Sequence, residues 1–142
     1  MYGRDGHGIE YVEADLGHQT TEAMCQTFAQ HAKRFRPDGA MLEVNGFQEL
    51  LAVPLREAFK AAGVDCHVYT VDNTVNKDVR IRRLTSPLHQ RRMRFKARSH
   101  GTQLLVLQMR DFPNGDKIDG ADALEMARRL AIELHNGRQQ RR

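Results

Sequence analysis

Apolar positions along this chain recur first at every second residue and then at helical spacing, and the two periods alternate. Arg4-Asp5-Gly6-His7-Gly8 has the composition of a tight turn. Ile9 to Ala14 then alternates as a short strand, with Ile9, Tyr11 and Ala14 set against Glu10 and Glu13. Thr20 or Thr21 can cap a helix whose inner face is Met24, Phe28, Ala32 and Phe35, and Arg36-Pro37-Asp38-Gly39 ends it. Ala40 to Val44 is an apolar run holding one acid and suits a buried strand. Asn45 caps the next predicted helix, with Phe47, Leu50, Leu51, Leu55, Ala58 and Phe59 as its stripe. Pro54 should kink or split that helix, and Gly63 should stop it. Val64 to Val71 reads as a strand.

A short helix is predicted from about Lys77 to Leu84, ended by Ser86-Pro87. Arg92 to Arg98 alternates, with Met93, Phe95 and Ala97 on one face and Arg92, Arg94, Lys96 and Arg98 on the other. Leu104, Leu105, Gln108 and Met109 mark a helix that closes at Asp111 to Gly115. The last helix runs from about Asp119 to His135, with Leu124, Ala127, Ala131 and Leu134 inward, and Asn136-Gly137 ends it. Strands and helices in alternation imply an α/β domain with a parallel portion in its sheet. Before the first turn only Met1 and Tyr2 are available as strand residues, with Gly3 between them and the turn, so the sheet is expected to begin in mid-element. The 142 residues suit one domain, residues 1–135, followed by a basic tail, 136–142.

Charge sharpens this outline. Net charge is +4, but nine of the 22 basic residues lie between Lys77 and Arg98, where Asp78 is the only acid. A basic stripe on a mildly acidic body can match a phosphate backbone; the plainer alternative is a solvated face. Charged residues make up 28% of the chain and apolar residues 40%, an ordinary globular balance. No apolar run reaches membrane-helix length and no signal peptide opens the chain, so a cytoplasmic location without membrane contact is expected. Cys25 and Cys66 each sit among apolar neighbours and read as buried reduced thiols. The seven histidines show no zinc spacing, and His67 reads as satisfied in or near the core.

Acids supply the candidate chemistry. Glu43 ends an apolar strand, where it either binds a cation or is simply exposed. Asp116, Asp119 and Asp122 recur every three residues at the entrance to the last helix, where capping and dipole effects also favour acids. Carboxylates from separate elements suit two Mg²⁺ or Mn²⁺ ions, which in phosphodiester hydrolysis activate water and stabilise the leaving oxygen. A cationic strand beside such a pocket would offset its repulsion of DNA.

Several segments together resemble the nuclease domain of phage-type DNA-packaging terminase large subunits. Met41-Leu42-Glu43-Val44-Asn45-Gly46 is similar to that family's metal-binding glutamate strand. Lys77-Asp78-Val79-Arg80-Ile81 resembles its Lys-x-x-Arg-Ile segment, and Met93-Arg94-Phe95 its following basic strand. Phe112 to Leu124 resembles its closing motif, roughly Phe-Pro-x-Gly-x-His-Asp-Asp-x-x-Asp-Ala-Leu, and Gly3-Arg4-Asp5-Gly6 its opening hairpin turn. The likeness covers nearly the whole chain in order. It implies an RNase H-like mixed sheet flanked by helices, its first strand truncated. It also implies a Mg²⁺- or Mn²⁺-dependent endonuclease that cuts double-stranded concatemeric DNA during capsid filling, in the cytoplasm of the phage's host.

By that resemblance Glu43, Asp119 and Asp122, with Asp116 in reserve, would bind metal and catalyse. Lys77, Arg80, Arg92, Arg94, Lys96 and Arg98 would contact DNA. The implied partners are duplex DNA, an ATPase motor domain, a small terminase subunit and a portal. Lys117 stands where the family often has His, and Ile118 where it often has the first Asp of a pair. The family's first catalytic aspartate precedes the opening turn, at which this chain starts; Asp5, inside the turn, is a poor substitute. No Gly-x-x-x-x-Gly-Lys-Ser/Thr loop is present. The alternative is therefore a DNA-binding prophage remnant that lacks a complete metal site. A third possibility, a resolvase- or transposase-type core, is disfavoured by the closing segment.

Overall fold

The computed structural model describes residues 1–44 and 49–140, the Glu49 side chain apart. The chain is mixed α/β and divides into two compact units, Met1–Gly17 with Val75–Arg142, and His18–Thr74. Among the described residues five strands form two sheets.

In the first unit, β1 (Tyr2–Arg4) and β2 (Glu10–Val12) make an antiparallel hairpin, and β5 (Met93–Phe95) joins β2 in parallel. The loop between β1 and β2 is closed by Asp5, whose Oδ1 accepts from the backbone N–H of His7 and of Ile9, both at 2.9 Å. β2 faces opposite to the sequence expectation. Glu10 (1% exposed) and Val12 point inward, and Tyr11 is 52% exposed. Alternation alone cannot set which face is buried when the inward position is charged. Here Arg128 forks onto Glu10, with Nε 3.0 Å from Oε2, and removes the cost of burial. Burial, aided by the Glu10 charge, pushes Tyr2 up to about 12.

Two short helices follow, α3 (Lys77–Arg82) and α4 (Thr85–His89). Asn76 caps α3, its side chain accepting from Asp78 N–H at 2.9 Å. Ser86-Pro87 does not end the α3 helix, as the sequence suggests; it lies in the first turn of α4, where proline's missing N–H has no partner to lose. Ser99 caps α5 (His100–Asp111). Gly101 lets that helix start against β2's extension: a Cβ there would lie 2.4 Å from the Ala14 carbonyl oxygen. α6 (Asp119–Gln139) runs through Asn136-Gly137, which does not end it. The basic tail is therefore helical as far as Gln139. Val12, Ile81, Leu84, Met93, Leu105, Ala121 and Leu124 form the apolar core.

In the second unit, α1 (Thr21–Phe35) is capped by Thr20 as expected. Its buried line is Cys25, Ala29 and Ala32, while Phe35 is exposed with Arg34 stacked 4.5 Å over its ring. β3 (Ala40–Glu43) and β4 (Val68–Val71) pair in parallel, Glu43 opposite Val71. β4 is shorter than the Val64–Val71 run. The described part of α2 (Glu49–Ala61) passes through Pro54 without splitting, and Leu50 is 71% exposed rather than in its stripe. The expected cap Asn45 and the apolar Phe47 lie outside the described residues.

Gly63 adopts φ 69°. Its N–H reaches Lys60 O at 3.1 Å and Val64 N–H reaches Phe59 O at 2.9 Å, so the helix ends in a Schellman turn. Cys25, Ala29, Ala32, Ala40, Leu55, Phe59 and Val68 form this core, with Phe28 edge-on to Phe59. Cys25 is buried and reduced; Cys66 is reduced but half-exposed, and burial pushes both thiols up. His67 is exposed, edge-on to Tyr69 at 4.5 Å, not in the core.

Candidate nucleic-acid interface

Two segments singled out in the sequence meet along α3 and α6. Lys77, Arg80 and Arg83 recur every three residues, and each faces an acid 42 positions later. Lys77 pairs with Asp119 at an exposed rung. Arg80 pairs with Asp122 at the buried rung: Nε donates to Oδ1 at 2.9 Å and Nη2 to Oδ2 at 2.5 Å. Its Nη1 donates to Val75 O at 2.7 Å. Arg83 Nη1 donates to Glu125 Oε1 at 3.0 Å, and Arg129 approaches the other oxygen at 3.8 Å.

This ladder changes what the expected site residues can do. Arg80 is 4% exposed and Asp122 3%. Arg80 is therefore a buried partner of Asp122 and presents nothing to DNA. Both oxygens of Asp122 are occupied by one guanidinium, with Lys77 Nζ 3.9 Å from Oδ2. Asp119 is 87% exposed but held by Lys77. Neither acid caps α6. That role falls to Gln108, whose Oε1 accepts from Gly120 N–H at 2.8 Å. Gly120 leaves room for it, since a Cβ there would lie 2.8 Å from the same oxygen. Asp116 is exposed on the loop before the helix.

Glu43 belongs to the other unit. It ends β3, and its Oε1 accepts from Asn73 Nδ2 at 2.8 Å. Among the described residues no three His, Cys, Asp or Glu side chains gather as a metal site. In this arrangement Asp119 and Asp122 face Lys77 and Arg80, so these two carboxylates are turned to cationic side chains rather than to a shared ion position.

Among the cations expected at DNA, Lys96 pairs with Glu13 at 3.0 Å. Arg92 is half-buried, its Nε donating to Gly8 O at 3.1 Å. Arg94 is exposed and folds back on the carbonyls of Arg91 (2.6 Å) and Met93 (3.3 Å). Arg98 is exposed, and Ala97 does not point inward. Regular pairing stops at Phe95, so the expected uniform cationic face is shortened. Asp5 is held low by hydrogen bonds from Ile9 N–H, Tyr11 OH and His7 N–H. It stabilises the loop rather than offering a ligand.

Sequence reasoning counted Arg91 in the basic segment without naming it as a DNA contact, and it missed the exposed Arg4 and the Glu10–Arg128 and Arg83–Glu125 pairs. The three-residue repeats of Lys77-Arg80-Arg83 and Asp119-Asp122-Glu125 are the signal that could have found the ladder. Among the described residues no helix is long and apolar enough to cross a membrane. No family model, curated protein or solved structure matches the chain.

Proposed function

We propose that the unit of β1, β2, β5 and α3 to α6 binds duplex DNA through the cationic margin of its mixed sheet. It would do so as part of an RNase H-like domain of the terminase nuclease type. The observation that carries the proposal is a separation of cations into two sets. Lys77, Arg80, Arg83, Lys96 and Arg128 each have a carboxylate partner. Arg91, Arg92 and Arg94 hydrogen-bond only neutral groups or stand in solvent. A basic group without an internal counterion is available for phosphate, and releasing DNA's condensed counterions supplies the affinity. The meeting of the Lys-x-x-Arg-Ile segment with the closing motif adds support for the family reading, since residues far apart in sequence form one ladder.

In this reading the α6 acids are structural. The chain is thus closer to a DNA-binding form of the terminase nuclease domain than to a complete two-metal endonuclease. Two measurements test this. Duplex DNA binding should weaken in Arg94→Ala and in Arg98→Ala, and its log–log salt slope should flatten by about 0.9 for each phosphate no longer neutralised. An unchanged slope would remove the interface. Plasmid incubated with the protein and Mn²⁺ should stay intact. Nicking that disappears in Glu43→Ala would instead establish a metal-dependent endonuclease, as the terminase reading requires.

A further inference from the structure

We propose that Arg4 and Arg92 form a clamp for a single phosphate group over Gly8. Gly8 is buried at φ 81° in the β1–β2 loop. The position a Cβ would take on it lies 2.3 Å from Arg92 Nη2 and 3.3 Å from Arg4 Nη2. Two guanidinium ends therefore lie together over Gly8, with that of Arg92 in the space any larger residue's side chain would need. Like charges this close repel. Yet the contacts of Arg92 are the Gly8 carbonyl and, at 3.5 Å, the neutral Gln90 amide. Among the described residues neither arginine has an ion pair to a carboxylate. An anion's oxygens can span the two Nη2 atoms at charge-assisted lengths of about 2.7–2.9 Å and relieve the repulsion.

The Arg92 half of the clamp is set before a ligand arrives, and the exposed Arg4 side chain closes it. Arg92 Nε is fixed on Gly8 O, Gly8 N–H donates to Asp5 O at 3.1 Å, and Asp5 N–H donates to Ile9 O at 3.0 Å. With its carboxylate occupied by loop amides and Tyr11, Asp5 does not compete for either guanidinium. The ordering cost of binding therefore falls on Arg4 rather than on Arg92. The clamp deepens the DNA reading, on which it rests, by naming one phosphodiester contact, but the same chemistry would accept a free phosphate monoester.

The test uses the full chain and two probes. Inorganic phosphate is titrated while the side-chain Nε–H signals of Arg4 and Arg92 are followed by NMR, with chloride at matched ionic strength as control. Saturable shifts of both signals under phosphate alone are expected, abolished by Arg4→Gln. Shifts no different from chloride would overturn the clamp. The second probe is duplex DNA: Arg4→Gln should lower the log–log salt slope by about 0.9. Arg92→Lys, which keeps the charge but loses the hold on Gly8, should lower it equally. If Arg94→Ala weakens DNA binding while Arg4→Gln leaves the slope unchanged, the clamp is wrong and the DNA reading stands. If the wild type ignores DNA yet saturates with phosphate, the clamp stands with a free phosphate as its ligand and the DNA reading falls.

Discussion

In the unit formed by Met1–Gly17 and Val75–Arg142, Glu10, Arg80, Thr102, Asp122 and Glu125 are all buried. In the unit His18–Thr74 the buried side chains of the core are Cys25, Ala29, Ala32, Ala40, Leu55, Phe59 and Val68, all apolar. The first unit adds matched buried charges to its apolar core, whereas the core of the second is built from matched shapes. The energetic consequence is asymmetric. A buried ion pair adds little over a well-packed apolar pair, but breaking it by removing one partner is severe. Truncating an apolar side chain costs in proportion to the volume removed. The first unit should therefore be sensitive to single charge deletions and tolerant of paired ones.

The largest effect is expected at the middle rung of the ladder. Asp122→Ala leaves the Arg80 guanidinium buried without its carboxylate, and should cost about 3–5 kcal/mol in urea unfolding. The double variant Arg80→Met with Asp122→Leu should recover most of that loss. If the double variant is as unstable as the single, the pair contributes more than mutual neutralisation and the contrast between the units is wrong. The comparison in the other unit is Leu55→Ala, at a fully buried position, which should cost about 3 kcal/mol with no partner able to rescue it.

The same contrast explains what could be read from the sequence. α1 and β3 form where the apolar pattern puts them, with Thr20 marking the start of α1. Yet α1 turns Cys25 and Ala29 inward and leaves Phe35 exposed, and β4 keeps only the last four residues of its run. Periodicity exchanges the faces of β2 because Glu10 looks like a solvent residue until Arg128, 118 positions away, is placed beside it. Pro87 and Gly137 punctuate local pattern but not the fold, since one lies in a first helical turn and the other in an exposed stretch of α6. At the candidate site, the cationic character of the Lys77–Arg98 segment is legible. Its division into structural and available charges is not, since that depends on three acids from α6 and one from β2's extension.

A third expectation concerns alkaline pH. Tyr2 ionises at about 12 in the folded chain against an ordinary 10, so folding favours its neutral form. The stability this contributes is present below pH 10 and is lost as pH rises from 10 through 12. The wild type should therefore lose stability relative to Tyr2→Phe over that interval, measured by urea unfolding at successive pH values. Parallel curves would show that Glu10 and burial do not act on the Tyr2 hydroxyl as described.

The smallest effect is expected at the outer rung. Lys77 and Asp119 are in contact, but Asp119 is 87% exposed and water screens the pair. Asp119→Ala should cost under about 1 kcal/mol, and raising salt should shrink the difference further. The same variant bears on metal chemistry. With Asp119 structural and weakly coupled, its removal should leave the thermal midpoint with Mn²⁺ as close to wild type as without it. A Mn²⁺-dependent rise in midpoint that only the wild type shows would mean that the carboxylate leaves Lys77 for an ion. The exposed end of the ladder would then be a ligand site rather than a rung.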